Sequence, residues 1–243
     1  MNKRCMPQAR LLVVFVLIGF SCSTLADSLD SIGRLNQAQF LEFSEELSAA
    51  TSYKAVAPPE SLGVIGFDIG LEVSSTDISG DLFDLASSGS FDGSDLIVPR
   101  LHVHKGLPFG IDLGASLSAI PDSDATIIGG ELRYAVVDGG VLTPAVGLRI
   151  AHTQMTGIDE FEFNSTSLEL GISKGFLPVT PYGGIGIVRS NSSPIGSDTL
   201  SDARFDLEKL FVGVTFSIGF ALTLEADITG DIRTYSAKVG ARF

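Results

Sequence analysis

Residues 65–73 read Ile65-Gly66-Phe67-Asp68-Ile69-Gly70-Leu71-Glu72-Val73, and this stretch decides the fold. Its odd-numbered positions are apolar throughout, while Gly66, Asp68, Gly70 and Glu72 fill the places between. Side chains alternate across a β-strand, so the pattern predicts one strand with a hydrocarbon face and a face of glycine and carboxylate. A half-exposed soluble sheet also alternates. The sharp contrast between the two faces is what points further.

The same contrast recurs along the chain. Phe109, Ile111, Leu113, Ala115 and Leu117 stand opposite Gly110, Asp112, Gly114, Ser116 and Ser118. Leu210, Val212, Val214, Phe216 and Ile218 stand opposite Lys209, Phe211, Gly213, Thr215 and Ser217. Leu222, Leu224, Ala226 and Ile228 stand opposite Thr223, Glu225, Asp227 and Thr229. Ten such segments fall at about 62–75, 95–105, 108–120, 125–137, 140–155, 161–174, 179–190, 204–217, 219–229 and 233–243. Most are longer than the ~5–6 residues of a soluble strand and match the ~9–11 of a tilted membrane strand. Apolar faces of a soluble sandwich must meet each other, whereas a barrel in lipid turns them outward and encloses the polar face. Closure also leaves no unpaired strand edge in hydrocarbon. The expected fold is all-β, an antiparallel up-and-down transmembrane β-barrel of about ten strands over 62–243, preceded by a short amphipathic helix.

The connections follow suit. Long links, Thr76 to Ser94 and Asn191 to Ala203, alternate with tight ones at Gly106-Leu107, Asp138-Gly139, Gly175 to Pro178 and Ile218. Long extracellular loops and short periplasmic turns alternate in this way. An even strand count then predicts both termini on the periplasmic side.

Tyr235, Ala237, Val239, Ala241 and Phe243 occupy every second position of the last segment, which ends in phenylalanine. This resembles the closing-strand signal that bacterial outer-membrane β-barrels present to the barrel-assembly machinery. The layout of an acidic helix followed by a barrel is similar to proteobacterial outer-membrane barrel families. The resemblance implies an outer-membrane location among lipid and lipopolysaccharide; fold alone does not dictate function.

Residues 1–26 read as a signal peptide, with Lys3, Arg4 and Arg10, the apolar run Leu11 to Phe20, and a small-x-small site at Thr24, Leu25 and Ala26. Cys22 offers a rival reading, lipoprotein processing. Both cysteines, Cys5 and Cys22, lie in this leader, so no disulfide is expected after cleavage. Cleavage moves the formal charge from −13 to −16. Such an acidic protein repels nucleic acid.

Residues 27–61 form an amphipathic helix and a proline-containing linker. Ile32, Leu35, Phe40, Phe43 and Leu47 share a helical face, Leu41 lies off it, and Glu42, Glu45 and Glu46 line the rest. The unit ends at Pro58 and Pro59. A helix this short needs a surface for its stripe: beneath the barrel in the periplasm, inside the lumen as a plug, or on a partner.

Alternation assigns a luminal charge set of Asp68, Glu72, Arg100, Asp112, Glu131, Arg133, Arg149, Glu169, Lys209, Glu225, Asp227, Lys238 and Arg242, with His102 and His104 nearby. A narrow barrel fills its interior with side chains, and unpaired buried charges are costly, so these residues are expected to pair. The luminal glycines Gly66, Gly70, Gly114, Gly171, Gly184, Gly186 and Gly213 leave space. No enzyme is expected: His102 and His104 lie toward the periplasmic end, and His152 is in phase with Leu148 and Ile150 on the lipid side. No metal or cofactor is expected either. The loop acids Asp77, Asp81, Asp84, Asp92, Asp95, Asp122, Asp124, Asp198 and Asp202 follow no calcium-loop spacing. The expected function is a structural or narrow-channel barrel closed by paired charges. The alternatives are an adhesive barrel acting through its acidic loops on a surface ligand, or a porin selective for a small solute.

Overall fold

The computed structural model describes residues 31–87, 93–119, 125–140, 142–197 and 199–243. The leader, with Cys5 and Cys22, and the loop acids Asp92, Asp122, Asp124 and Asp198 lie outside the described residues. The described residues form ten strands: β1 (Phe67–Asp77), β2 (Asp95–Gly106), β3 (Ile111–Ala119), β4 (Thr126–Val137), β5 (Ala145–Thr156), β6 (Phe161–Ser173), β7 (Val179–Pro194), β8 (Ala203–Ser217), β9 (Ala221–Thr229) and β10 (Ile232–Arg242). Each pairs antiparallel with its neighbours in sequence, and β1 closes on β10 with Asp68 opposite Arg242. The fold is a closed up-and-down barrel, as the alternation implied.

The phase of that alternation is also as read. Phe67, Leu113 and Val214 point outward, and Asp68, Asp112 and Lys209 point inward and are buried. Outward apolar side chains stay uncovered by protein: Leu71 is 57% exposed, Leu168 59% and Val212 63%. A water-soluble surface does not carry a continuous belt of this kind. Boundaries shift in places. β1 begins at Phe67 because Gly66 turns back to donate to Gly63 O at 3.0 Å. β5 begins at Ala145, and β7 runs on to Pro194 paired with Phe161.

The connections at one end, 107–110, 138–144, 174–178 and 218–220, form the turn mouth. The opposite end, the loop mouth, carries the links between β1 and β2 and between β7 and β8. The first of these holds a short helix, α2 (Gly80–Ala86), absent from the sequence reading.

Ahead of β1, helix α1 (Gln37–Thr51) opens on a capping box. The Asn36 side chain accepts from Ala38 N and Gln39 N at 3.0 and 3.1 Å, and Asn36 N donates back to Gln39 Oε1. The helix packs against the inner faces of β1, β2, β7, β8 and β10. Its last turn is Ser48, Ala49, Ala50 and Thr51, all buried. Small side chains let a cylinder ~10–12 Å across fit inside a wall of ten strands. A strap that is neither helix nor strand, residues 52–61, continues from α1 through the lumen to the turn mouth, where Glu60 meets Arg242 at 3.2 Å. The expectation that an even strand count puts both ends on one side applies to the strands of the barrel and not to the described chain ahead of them. The barrel seam ends at the turn mouth, but Ser31 lies at the loop mouth, bonded to Ala86 O at 3.1 Å. The parity of the strand count places the ends of the barrel and says nothing of a segment that re-enters it.

Candidate functional site

The lumen is the candidate site, and its two halves differ. Near the loop mouth α1 buries Phe40, Phe43 and Leu47 among inward side chains of the wall, including Val98, Ile127, Phe161 and Phe163. Phe43 lies 4.8 Å from Phe83 of α2 and 6.0 Å, edge on, from Phe161. The alternation leads us to expect a largely polar inward face. It is hydrocarbon here because an amphipathic helix needs an apolar surface. Glu46 accepts from Ser79 N at 3.0 Å and from Ser79 Oγ at 2.6 Å. Burial holds its carboxyl above the ordinary range, and the two Ser79 hydrogen bonds offset this only in part.

Toward the turn mouth the lumen is ionic. Of the thirteen charges read from the sequence, twelve are buried, and Arg242 is partly exposed. Several pair with the residue directly across on the next strand: Arg100 with Glu72 at 2.9 Å, Arg133 with Asp112 at 2.8 Å and Arg149 with Glu169 at 2.6 Å. Arg149 also reaches Glu131 at 3.1 Å, and Lys238 lies 3.5 Å from Asp68.

Three further pairs bridge a whole strand by crossing a glycine. Lys209 reaches Glu169 at 2.8 Å over Gly186. The Tyr182 hydroxyl donates to Glu225 at 2.7 Å over Gly213. His104 approaches Glu131 at 3.3 Å over Gly114. A Cβ at Gly114 or Gly213 would collide with the crossing ring. These glycines are therefore slots as well as spacers.

The strap completes the network. Lys54 Nζ bonds both carboxylate oxygens of Asp227, at 2.9 and 3.0 Å, with neither side chain exposed. Five luminal cations also donate to carbonyls spaced along the incoming chain. Arg100 donates to Ala50 O at 2.8 Å, Lys209 to Tyr53 O at 3.5 Å and Lys238 to Ala55 O at 3.3 Å. Arg149 donates to Ala57 O at 3.4 Å and Arg133 to Pro58 O at 3.1 Å. Four of these carbonyls lie in the strap, which forms no helix or ladder of its own, and leaving them bare would cost ~1–3 kcal/mol each.

Sequence reasoning missed Tyr53, Lys54 and Tyr182, and it set His102 and His104 merely near the network. His102 bonds Glu72, His104 contacts the Tyr53 hydroxyl at 3.3 Å, and the two rings stack at 5.7 Å. The in-phase positions of His102 and His104 on β2 carried that signal; nothing local marks Lys54. His152 faces outward and bonds Thr166 at 2.9 Å. Among the described residues no three His, Cys, Asp or Glu converge as metal ligands.

Tyr235, Ala237 and Val239 lie on the outer face of β10. Phe243 stacks on Phe67 at 6.5 Å and exchanges backbone hydrogen bonds with it at 2.8 and 3.0 Å.

No family model matches the chain, and no curated protein does. Solved structures similar to it include Neisserial surface protein A, 13% identical with a TM-score of 0.32 over 73% of this chain and 97% of that one. The KdgM porin, solved with oligogalacturonate, is 11% identical with a TM-score of 0.37 over 72% of this chain and 99% of that one. Ail of Yersinia pestis is 12% identical with a TM-score of 0.32 over 73% and 98%. These are bacterial outer-membrane β-barrels, and the likeness is one of fold alone.

Proposed function

We propose that this chain is an outer-membrane β-barrel of structural type, with little general permeability, whose lumen is closed by its own N-terminal segment. The observation that carries the reading is the strap: Lys54 bonds Asp227, and five carbonyls between Ala50 and Pro58 take luminal Arg and Lys donors. A solute path would have to strip those bonds from buried charges, each costing several kcal/mol to strand. The exposed apolar belt supports a membrane setting, with the long loops outside and the turns in the periplasm. On this reading the alternating Tyr235, Ala237, Val239, Ala241 and Phe243 serve as the assembly signal. His102 and His104 take no catalytic part, being enclosed and engaged with Glu72 and Glu131.

The adhesive alternative draws on the long link between β1 and β2. There α2 turns Leu82, Phe83 and Ala86 inward onto the plug, which favours a lid over a free adhesive arm. Purified protein in planar lipid bilayers is expected to give small conductance or none. Large, stable, unselective steps would overturn the reading.

A further inference from the structure

The described chain crosses its own barrel before building it. Gln37 exchanges two hydrogen bonds with the Ser201 backbone, at 2.8 and 3.1 Å, in the link between β7 and β8 at the loop mouth. Ser31 donates to Ala86 O beside it. At the far end of the same segment, Leu62 N donates to Asp112 at 3.2 Å and Glu60 pairs with Arg242, both at the turn mouth. The chain then enters β1 from that side.

We infer that the barrel presents the first described residues of this chain, from Ser31 onward, at its loop mouth beside the long loops. On the orientation proposed above, that mouth opens at the cell surface, and presentation of these residues becomes a function of the barrel. The route is held along its whole length. Withdrawing the segment toward the turn mouth would drag Phe40, Phe43 and Leu47 out of the apolar cluster and past the ionic zone. It would also strip Lys54 from Asp227. Burial of aromatic side chains and of paired charges opposes each step. The barrel is closed through β1 and β10, so the segment has no lateral exit.

Single cysteines test this directly, because the chain's only cysteines, Cys5 and Cys22, lie within its first 26 residues. Gly33 is exposed, and a Cβ there meets nothing within 4 Å. Gly33→Cys reports the segment, with Arg34→Cys as a second exposed reporter should the first fail to fold. Ser201→Cys marks the loop mouth, and exposed Asp138→Cys marks the turn mouth. Intact cells are treated with a membrane-impermeant maleimide, the unsubstituted chain gives the background, and a heat-modifiable gel shift verifies folding. Gly33→Cys is expected to label as fully as Ser201→Cys on intact cells, and Asp138→Cys only after permeabilisation. Labelling of Gly33→Cys that tracks Asp138→Cys instead would overturn the threading. Labelling of Asp138→Cys alone on intact cells would overturn the orientation, and surface presentation with it, while Gly33→Cys still tracked Ser201→Cys.

Discussion

The two halves of the lumen enclose one continuous segment, yet they do so with opposite chemistry. Around α1 the wall is hydrocarbon: Phe43 is fully buried among Phe83, Phe161 and other apolar side chains. Around the strap the same strands present Arg100, Arg133, Arg149, Lys209 and Lys238. The difference follows from the backbone inside. A helix satisfies its own carbonyls, so its wall has only side chains to accommodate. A strap that forms no helix or ladder satisfies none of them, so its wall must donate. The changeover falls at the last turn of α1, where an orphan helix carbonyl, Ala50 O, takes Arg100.

The comparison can be broken at its ionic end most severely. Arg149→Met takes the Arg149 cation from Glu131, while Glu169 keeps Lys209, and the expected loss is about 5 kcal/mol, the upper end for stranding buried charge. Denaturant unfolding of the detergent-solubilised barrel measures it; a loss within experimental error would mean that water reaches the network. In the apolar half, Phe43→Ala should cost about 4 kcal/mol as a cavity. That loss should not vary with pH, since Phe43 touches no charge in the pairs described.

A smaller effect sharpens the contrast. Lys54→Met alone should destabilise by about 3 kcal/mol, because it strands Asp227, whereas adding Asp227→Leu should bring the total to about 1 kcal/mol. Strict additivity of the two substitutions would refute the pairing as an energetic unit. The smallest effect lies at the loop mouth. The folded carboxyl of Glu46 is held above its ordinary value, so its contribution is fully present below the unfolded value and fades as pH rises through the folded one. Glu46→Gln should therefore flatten that part of the stability profile, and an unchanged slope would exclude Glu46 as its source.

Much of this was legible locally. The alternation placed Asp68, Glu72, Asp112 and Lys209 inward and Phe67, Leu113 and Val214 outward, because a strand's side-chain period is fixed by its backbone and a slip of one residue inverts it. The inward positions of Val98, Ile127 and Phe161 follow the same phase. Their apolar character had no explanation until α1 stood against them. Lys54 was illegible, since its partner lies 173 residues away.

What the sequence alone determined is the wall: strands of membrane length, the face each turns to lipid, and the charges that the other face encloses. Tertiary structure decided what occupies the enclosure and at which mouth the described chain begins. The wall rests on a two-residue period written into each strand. The filling rests on carbonyls and a lysine finding partners across the barrel, a matter of distance in space that no local pattern records.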